Sequence, residues 1–261
     1  IEKRDGQISA KVFHMNLGKL EWPLSLFHLF RIPLSLMVCP VSLAVLAGGP
    51  RPMLTFLVWL VAAAAMMQVW FSLCLGKVRQ TSKYLFSLWS LGLAPPLGLL
   101  LARVAGEEAF GVAAFYTTAW FTVMMPVVVL KHKFARKRPA VVPGMAPPSR
   151  MIITLSKLPT QDAHTSFPSG DAAAAVAYAV PLAVACGWPL TALLVLSGVA
   201  VSTMYWRFHY ALDLAAGAAI GLVVVVLLHA TVCPIGAVKW WQPLVAQALM
   251  IGCTFVVRRL K

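Results

Sequence analysis

Residues 164–180 read HTSFPSGDAAAAVAYAV. A short polar turn passes here directly into a run of small apolar residues, which marks the start of a helix. Ser169 is a favoured N-cap residue, and a carboxylate at Asp171 in the first turn is stabilised by the helix dipole. An acid placed at the mouth of so apolar a segment still calls for a partner or a chemical role.

The rest of the chain is of the same apolar character. Of 261 residues, 60% are hydrophobic and 11% charged, with mean hydropathy +0.82, more apolar surface than a soluble core of this size hides. A helix needs about 20 apolar residues to cross the hydrocarbon of a bilayer. Eight windows meet that need, at 24–48, 53–76, 84–105, 110–130, 169–187, 189–206, 210–231 and 240–257. The first holds Arg31 and His28, and the last follows Lys239-Trp240-Trp241, so either is able to lie along the interface instead. The expectation is an all-α, polytopic membrane bundle of six to eight segments. A polar basic stretch (1–23) precedes a single membrane domain (24–257), and a basic tail (258–261) follows it. Most of the nine Trp residues fall near segment ends, where amphipathic rings favour the headgroup level. The five Cys residues show no paired spacing, so neither a disulfide framework nor a zinc site is expected. The chain begins at Ile1 rather than Met, which a removed presequence or a partial sequence would each explain.

The net charge of +14 is distributed by membrane side. With eight crossings, 18 of the 22 Lys and Arg residues fall on one face, in 1–23, 77–83, 131–157, Arg207 and the tail. Only Arg51, Arg103 and Lys239 fall on the other, near the acidic pair Glu107 and Glu108. The positive-inside rule then turns the basic face and both termini toward the cytosol, or toward the matrix or stroma of an organelle. Nucleic acid is set aside as a partner, because no soluble module carries aromatic residues among these charges.

Three polar patches interrupt the apolar pattern on that same face: KHKFARKRP (131–139), FPSGD (167–171) and STMYWRFHYALD (202–213). Each has a plain structural explanation. The basic run suits an anchor on anionic lipid, Ser169 and Asp171 suit a helix start, and His209 with Asp213 suits an internal pair one helical turn apart. The longest stretch outside the membrane windows, 131–168, is broken by Pro and holds a short amphipathic element near 151–158, either a cover for the pocket mouth or an ordinary packed loop.

Taken in order, Lys131-x6-Arg138-Pro139, Pro168-Ser169-Gly170 and His209-x3-Asp213 resemble the three signature motifs of the type-2 phosphatidic acid phosphatase superfamily, which includes vanadium haloperoxidases and glucose-6-phosphatase. The resemblance covers residues 131–213 and implies a six-helix core at about 53–231 with up to two additional membrane segments. It also implies hydrolysis of a lipid phosphate or diphosphate without metal or other cofactor. Lys131, Arg138, the Ser169 hydroxyl and the Gly170 amide would bind phosphate, His209 would be the nucleophile, and Asp213 would orient it.

Two positions depart from the family pattern. Asp171 stands where the family has the His that protonates the leaving group, and Thr203 stands where it has an Arg. Both changes make the pocket less positive, and Lys131 and Arg138 favour the ionised form of Asp171. Two residues are candidates to compensate: Arg207, one turn beyond Thr203 but nearly opposite His209 if the helix continues, and His164, if its loop folds back. A further option is that Asp171 pairs with a cation and fills the anion site from within. Three readings stay open: a membrane lipid phosphatase, a catalytically silent relative serving as accessory subunit of a membrane complex, or a lipid phosphotransferase resembling the sphingomyelin synthases.

Overall fold

The structure, a computed structural model, describes residues 94–139, 165–187, 189–205 and 207–259. The segments expected at 24–48 and 53–76, the start of the one at 84–105, the loop at 140–164 and the termini at 1–23 and 260–261 lie outside the described residues.

The described residues are helical, with no strand among them. In chain order the helices are α1 (Ala94–Ala105), α2 (Glu107–Phe134), α3 (Gly170–Cys186), α4 (Pro189–Tyr205), α5 (Ala211–Leu227) and α6 (Gln242–Arg259). A π-helical turn, Leu228–Val232, prolongs α5. The helix α2 runs past its apolar window and takes in Lys131, His132 and Lys133 as its last turn, where cations favour the C-terminal end of the dipole.

The helix α2 is the hub, packed against α1, α3, α5 and α6, while α3 also packs against α4 and α5. From Gly111 to Phe121 every residue of α2 is buried, with Phe115, Tyr116 and Phe121 among the largest side chains out of contact with solvent. A helix apolar on all sides belongs in the middle of such a bundle. The hydroxyls of Thr117, Thr118 and Thr122 donate to carbonyls one turn back, so these polar side chains enter an apolar helix already satisfied.

On α5 the buried residues Leu214, Gly217, Gly221 and Val225 form one stripe. Its other side presents Leu222, Val223, Val226 and Leu227 outward, a continuous apolar surface suited to hydrocarbon rather than water. In a bilayer, where lipid tails are as apolar as Leu, close packing must hold helices together, and small residues permit it. A Cβ built at Gly217 would overlap the Ser169 carbonyl oxygen, and one at Gly221 would lie 2.9 Å from the Ala173 oxygen. Two glycines one turn apart thus bring α5 against the start of α3. Phe110–Phe134 and Ala211–Val232 are the two described stretches long and apolar enough to cross a membrane.

Candidate active site

Each polar patch is held by backbone geometry before any side chain acts. Ala135, with φ of 43°, ends α2, and its amide donates to the Lys131 carbonyl at 3.1 Å. The chain then runs extended: Lys137 forms an antiparallel bridge with Thr165, and the Ser166 amide donates to the Arg136 carbonyl at 2.7 Å. Alternate side chains of an extended run point to opposite sides. Lys137 accordingly faces out, while Arg136 and Arg138 are both half-buried. The Lys131 ammonium reaches the Thr165 and Ser166 carbonyls at 3.4 and 3.5 Å, tying the end of α2 to the approach to α3.

At the second patch Ser169 caps α3, its hydroxyl oxygen accepting the Ala172 amide at 3.2 Å. The Ser169 amide donates to the Asp213 carbonyl at 2.9 Å, so the phosphate-loop candidate and the third patch are joined through the backbone. Gly170 opens the helix with room to spare, its nearest neighbours beyond a Cβ being Val127 and Met124 at ordinary contact distance. Asp171 follows in the first turn.

The third patch departs from the reading of His209 and Asp213 as an internal helix pair. The helix α4 stops at Tyr205, Arg207 takes a left-handed φ of 55°, and the Phe208 amide turns back to the Thr203 carbonyl at 2.9 Å. Only at Ala211 does α5 begin, with Tyr210 as its N-cap. The break is physical: the chain must turn to pack α5 beside α3, and residues 208–210 are buried at the turn. His209 therefore sits on a rigid corner between two helices. Arg207 lies on the bend, not opposite His209 on a continuous helix.

His209 is 2% exposed and lies between two carboxylates. Its Nε2 is 3.1 Å from Asp171 Oδ2, and its Nδ1 is 3.7 Å from Asp213 Oδ2. The first distance is a hydrogen bond, in which either the ring N–H or the carboxylic O–H donates. The second is electrostatic attraction beyond hydrogen-bond length. Asp213, fully buried, spends its oxygens elsewhere: Oδ1 accepts from Arg136 Nη1 at 3.0 Å, and Oδ2 from the Tyr210 amide at 2.9 Å. The Arg136 guanidinium also stacks on the Tyr210 ring, 4.1 Å from its centroid. Arg138 Nη1 donates to the Phe208 carbonyl at 3.3 Å, next to His209.

Lys131, Arg138, Ser169, Gly170, Asp171, His209 and Asp213 are thus drawn from three stretches of chain to the same end of the bundle. The family model described as the PAP2 superfamily matches residues 111–234, the stretch from α2 to just beyond the π turn, which contains all of them. Residues 111–234 belong to the PAP2 superfamily. No curated protein and no solved structure matches the chain.

Within this PAP2 domain the two divergent positions behave differently. The Thr203 hydroxyl donates to the Val199 and Ala200 carbonyls of its own helix, at 2.7 and 3.1 Å, and is buried against α4. It gives no replacement for a guanidinium. Asp171 makes the shorter of the two carboxylate contacts to the imidazole, at Nε2. His164 lies outside the described residues. Arg136 was the residue sequence reasoning missed; the signal was its position two before Arg138 in an extended run, which puts both on the inner side.

Proposed function

We propose that this protein is a membrane phosphatase acting on a lipid phosphate or diphosphate through a phosphohistidine at His209. The observation that carries the reading is the hydrogen bond between Nε2 of a buried His209 and Asp171. It makes the pair a two-site carrier of a single proton at the place where a phosphoryl group would be transferred.

The chemistry balances on that proton. Lys131, Arg138, the Ser169 hydroxyl and the Gly170 amide would hold the phosphoryl oxygens, where charge stabilisation is the main requirement of phosphoryl transfer. The incoming phosphate would part Asp171 from His209, with the proton left on the Asp171 carboxyl. Neutral Nε2 then forms the N–P bond, the P–O bond to the alcohol breaks, and Asp171 gives its proton to the departing alkoxide. In the second step the Asp171 carboxylate takes a proton from water as the water oxygen attacks phosphorus. Phosphate leaves, and Nε2 and the Asp171 proton are restored. Asp213 holds the Nδ1 side of the ring throughout and stabilises the charge that forms on it.

The wider setting belongs to the same proposal. A six-helix core with up to two further segments would lie in one membrane domain, with the motif face and both termini toward the cytosol, matrix or stroma. Membrane lipids would surround it, and the substrate would enter from the bilayer. A second reading, a silent PAP2 fold acting as an accessory subunit, is favoured by the same contact, because a carboxylate resting on Nε2 occupies the phosphoryl position.

The deciding experiment measures phosphate release from phosphatidic acid, lysophosphatidic acid, sphingosine phosphate and isoprenyl diphosphate by wild type and His209→Ala. Acid-labile, alkali-stable phosphate on the quenched wild type supports the intermediate. Release that survives in His209→Ala overturns it, and a wild type silent on every substrate favours the accessory reading. Transfer of the phosphoryl group to an added alcohol in place of water would identify a phosphotransferase.

A further inference from the structure

We propose that Arg136 is a positioning residue that, directly and through Asp213, opposes a second proton on the His209 ring and so keeps Nε2 bare. The proposal deepens the phosphohistidine reading and rests on it for its kinetic consequence. Its primary test needs no turnover.

The two carboxylates lie at unequal distances from the imidazole. A buried carboxylate beside an imidazole ordinarily closes to hydrogen-bond distance of Nδ1, yet Asp213 Oδ2 stays at 3.7 Å. The reason is that Asp213 is held from two other directions, by Arg136 at Oδ1 and by the Tyr210 amide at Oδ2. Arg136 is in turn fixed by its stack on Tyr210 and by the bonds that the Ser166 amide and hydroxyl donate to its carbonyl. A planar guanidinium bonded at one edge and stacked on its face has little freedom to move.

Two effects on His209 follow, and they have the same sign. Arg136 engages the Asp213 charge, so Asp213 draws less strongly on an Nδ1 proton, and its own positive charge opposes a second proton on the ring. The other charged groups carried into the site are Lys131 from α2, Arg138 from the extended run, Asp171 from α3 and Asp213 from α5; α4 contributes the neutral Thr203. Asp171 is therefore the carboxylate that competes best for the shared proton, at the nitrogen where the nucleophile must be bare. Removing the Arg136 charge would turn Asp213 toward Nδ1 and stabilise the doubly protonated ring. The nucleophile would then be blocked at neutral pH.

The test follows the His209 ring by nitrogen-15 NMR during a pH titration of the full chain in detergent micelles, with the signal assigned by its loss in His209→Asn. Arg136→Met removes the charge. Arg136→Gln does the same while retaining N–H donors for Asp213 Oδ1, and serves if the Met variant does not fold. Loss of a neighbouring charge of this kind shifts a titration by about one unit or more, so the His209 midpoint should rise at least that far in the Gln variant. It should stay near the wild-type value in Arg136→Lys, which keeps the charge. In an active enzyme the neutral variants should lose kcat about tenfold at neutral pH with KM little changed, and recover it at higher pH. An unchanged or lowered midpoint in Arg136→Gln overturns the proposal, as does an equal rise in Arg136→Lys. A raised KM with unchanged kcat would make Arg136 a phosphate ligand instead. Failure of the phosphohistidine reading would show separately, as phosphate release that survives in His209→Ala or is absent from the wild type.

Discussion

Gly217 offers a severe test of how the site is held. A Cβ at this position would overlap the Ser169 carbonyl oxygen and lie 3.0 Å from its carbonyl carbon and 3.2 Å from its Cβ. The obstacle is backbone at the N-cap of α3, which a side-chain rotation cannot clear, so Gly217→Ala must push α5 and the start of α3 apart. Overpacking of this kind costs about 1–3 kcal/mol. The better helix propensity of Ala returns about 1 kcal/mol, which leaves a net loss of stability of at most about 2 kcal/mol. The rate is far more sensitive, because a displacement of about 1 Å at reacting groups is worth about 100-fold. Ser169 and Gly170 sit on one side of that separation and His209 with Asp213 on the other. The expected result is a folded protein whose His209-dependent phosphate release falls about 100-fold. Two further glycines supply the comparison. Gly221→Ala meets the Ala173 oxygen at 2.9 Å one turn farther from the site and should cost stability more than rate. Gly252→Ala, in α6 with nothing within 4 Å, should change neither adversely. Thermal unfolding and phosphate release on all three in one detergent would decide the matter. A Gly217→Ala protein as active as Gly252→Ala would refute the claim that this close approach sets the site.

Other substitutions address single groups. Asp171→Asn cannot carry the shared proton and should lower kcat by about 10²–10⁴, the usual worth of general acid–base catalysis; a wild-type rate would remove Asp171 from the mechanism. Ser169→Ala loses both the α3 cap and a phosphate donor, so it should lose about 1 kcal/mol of stability together with activity, and a loss of activity alone would deny the capping role. Burial pushes the Cys233 thiol up from its ordinary value, which leaves less thiolate at neutral pH. Its alkylation in the native protein, read by peptide mapping, should therefore lag behind that in the denatured chain and accelerate only at more alkaline pH.

The apolar windows anticipated α2 to α6 to within a few residues, because runs of Val, Leu and Ala leave little freedom of choice in so apolar a chain. The windows 189–206 and 210–231 left an interruption there, but the shape of the corner at 207–210 was not legible. Tyr205, Phe208 and Tyr210 suit a continuing helix as well as a buried turn, and what stops the helix is the need to lay α5 against α3. The partner of Asp171 was equally hidden, since a sequence places Asp171, Lys131 and Arg138 near one another without saying which group the carboxylate turns to. Arg136 pairs with a residue 77 positions away, and the run KHKFARKRP offers several cations of the same type. Its selection depended on the register between 137 and 165, which only the folded backbone defines.

Asp213 also has a bearing on how such a site would wear under mutation. Through its side chain and its carbonyl it fastens the extended run after α2, the cap of α3 and the start of α5. Those fastenings join three parts of the fold, whether or not the chain turns over phosphate. A lineage released from catalysis would thus be expected to keep Asp213 and Arg136 and to drift first at Asp171, whose side chain points to the chemistry. Tolerance at Asp171 set against intolerance at Asp213, read from a library of variants scored only for folding, would separate the scaffold of this motif from its reactive part.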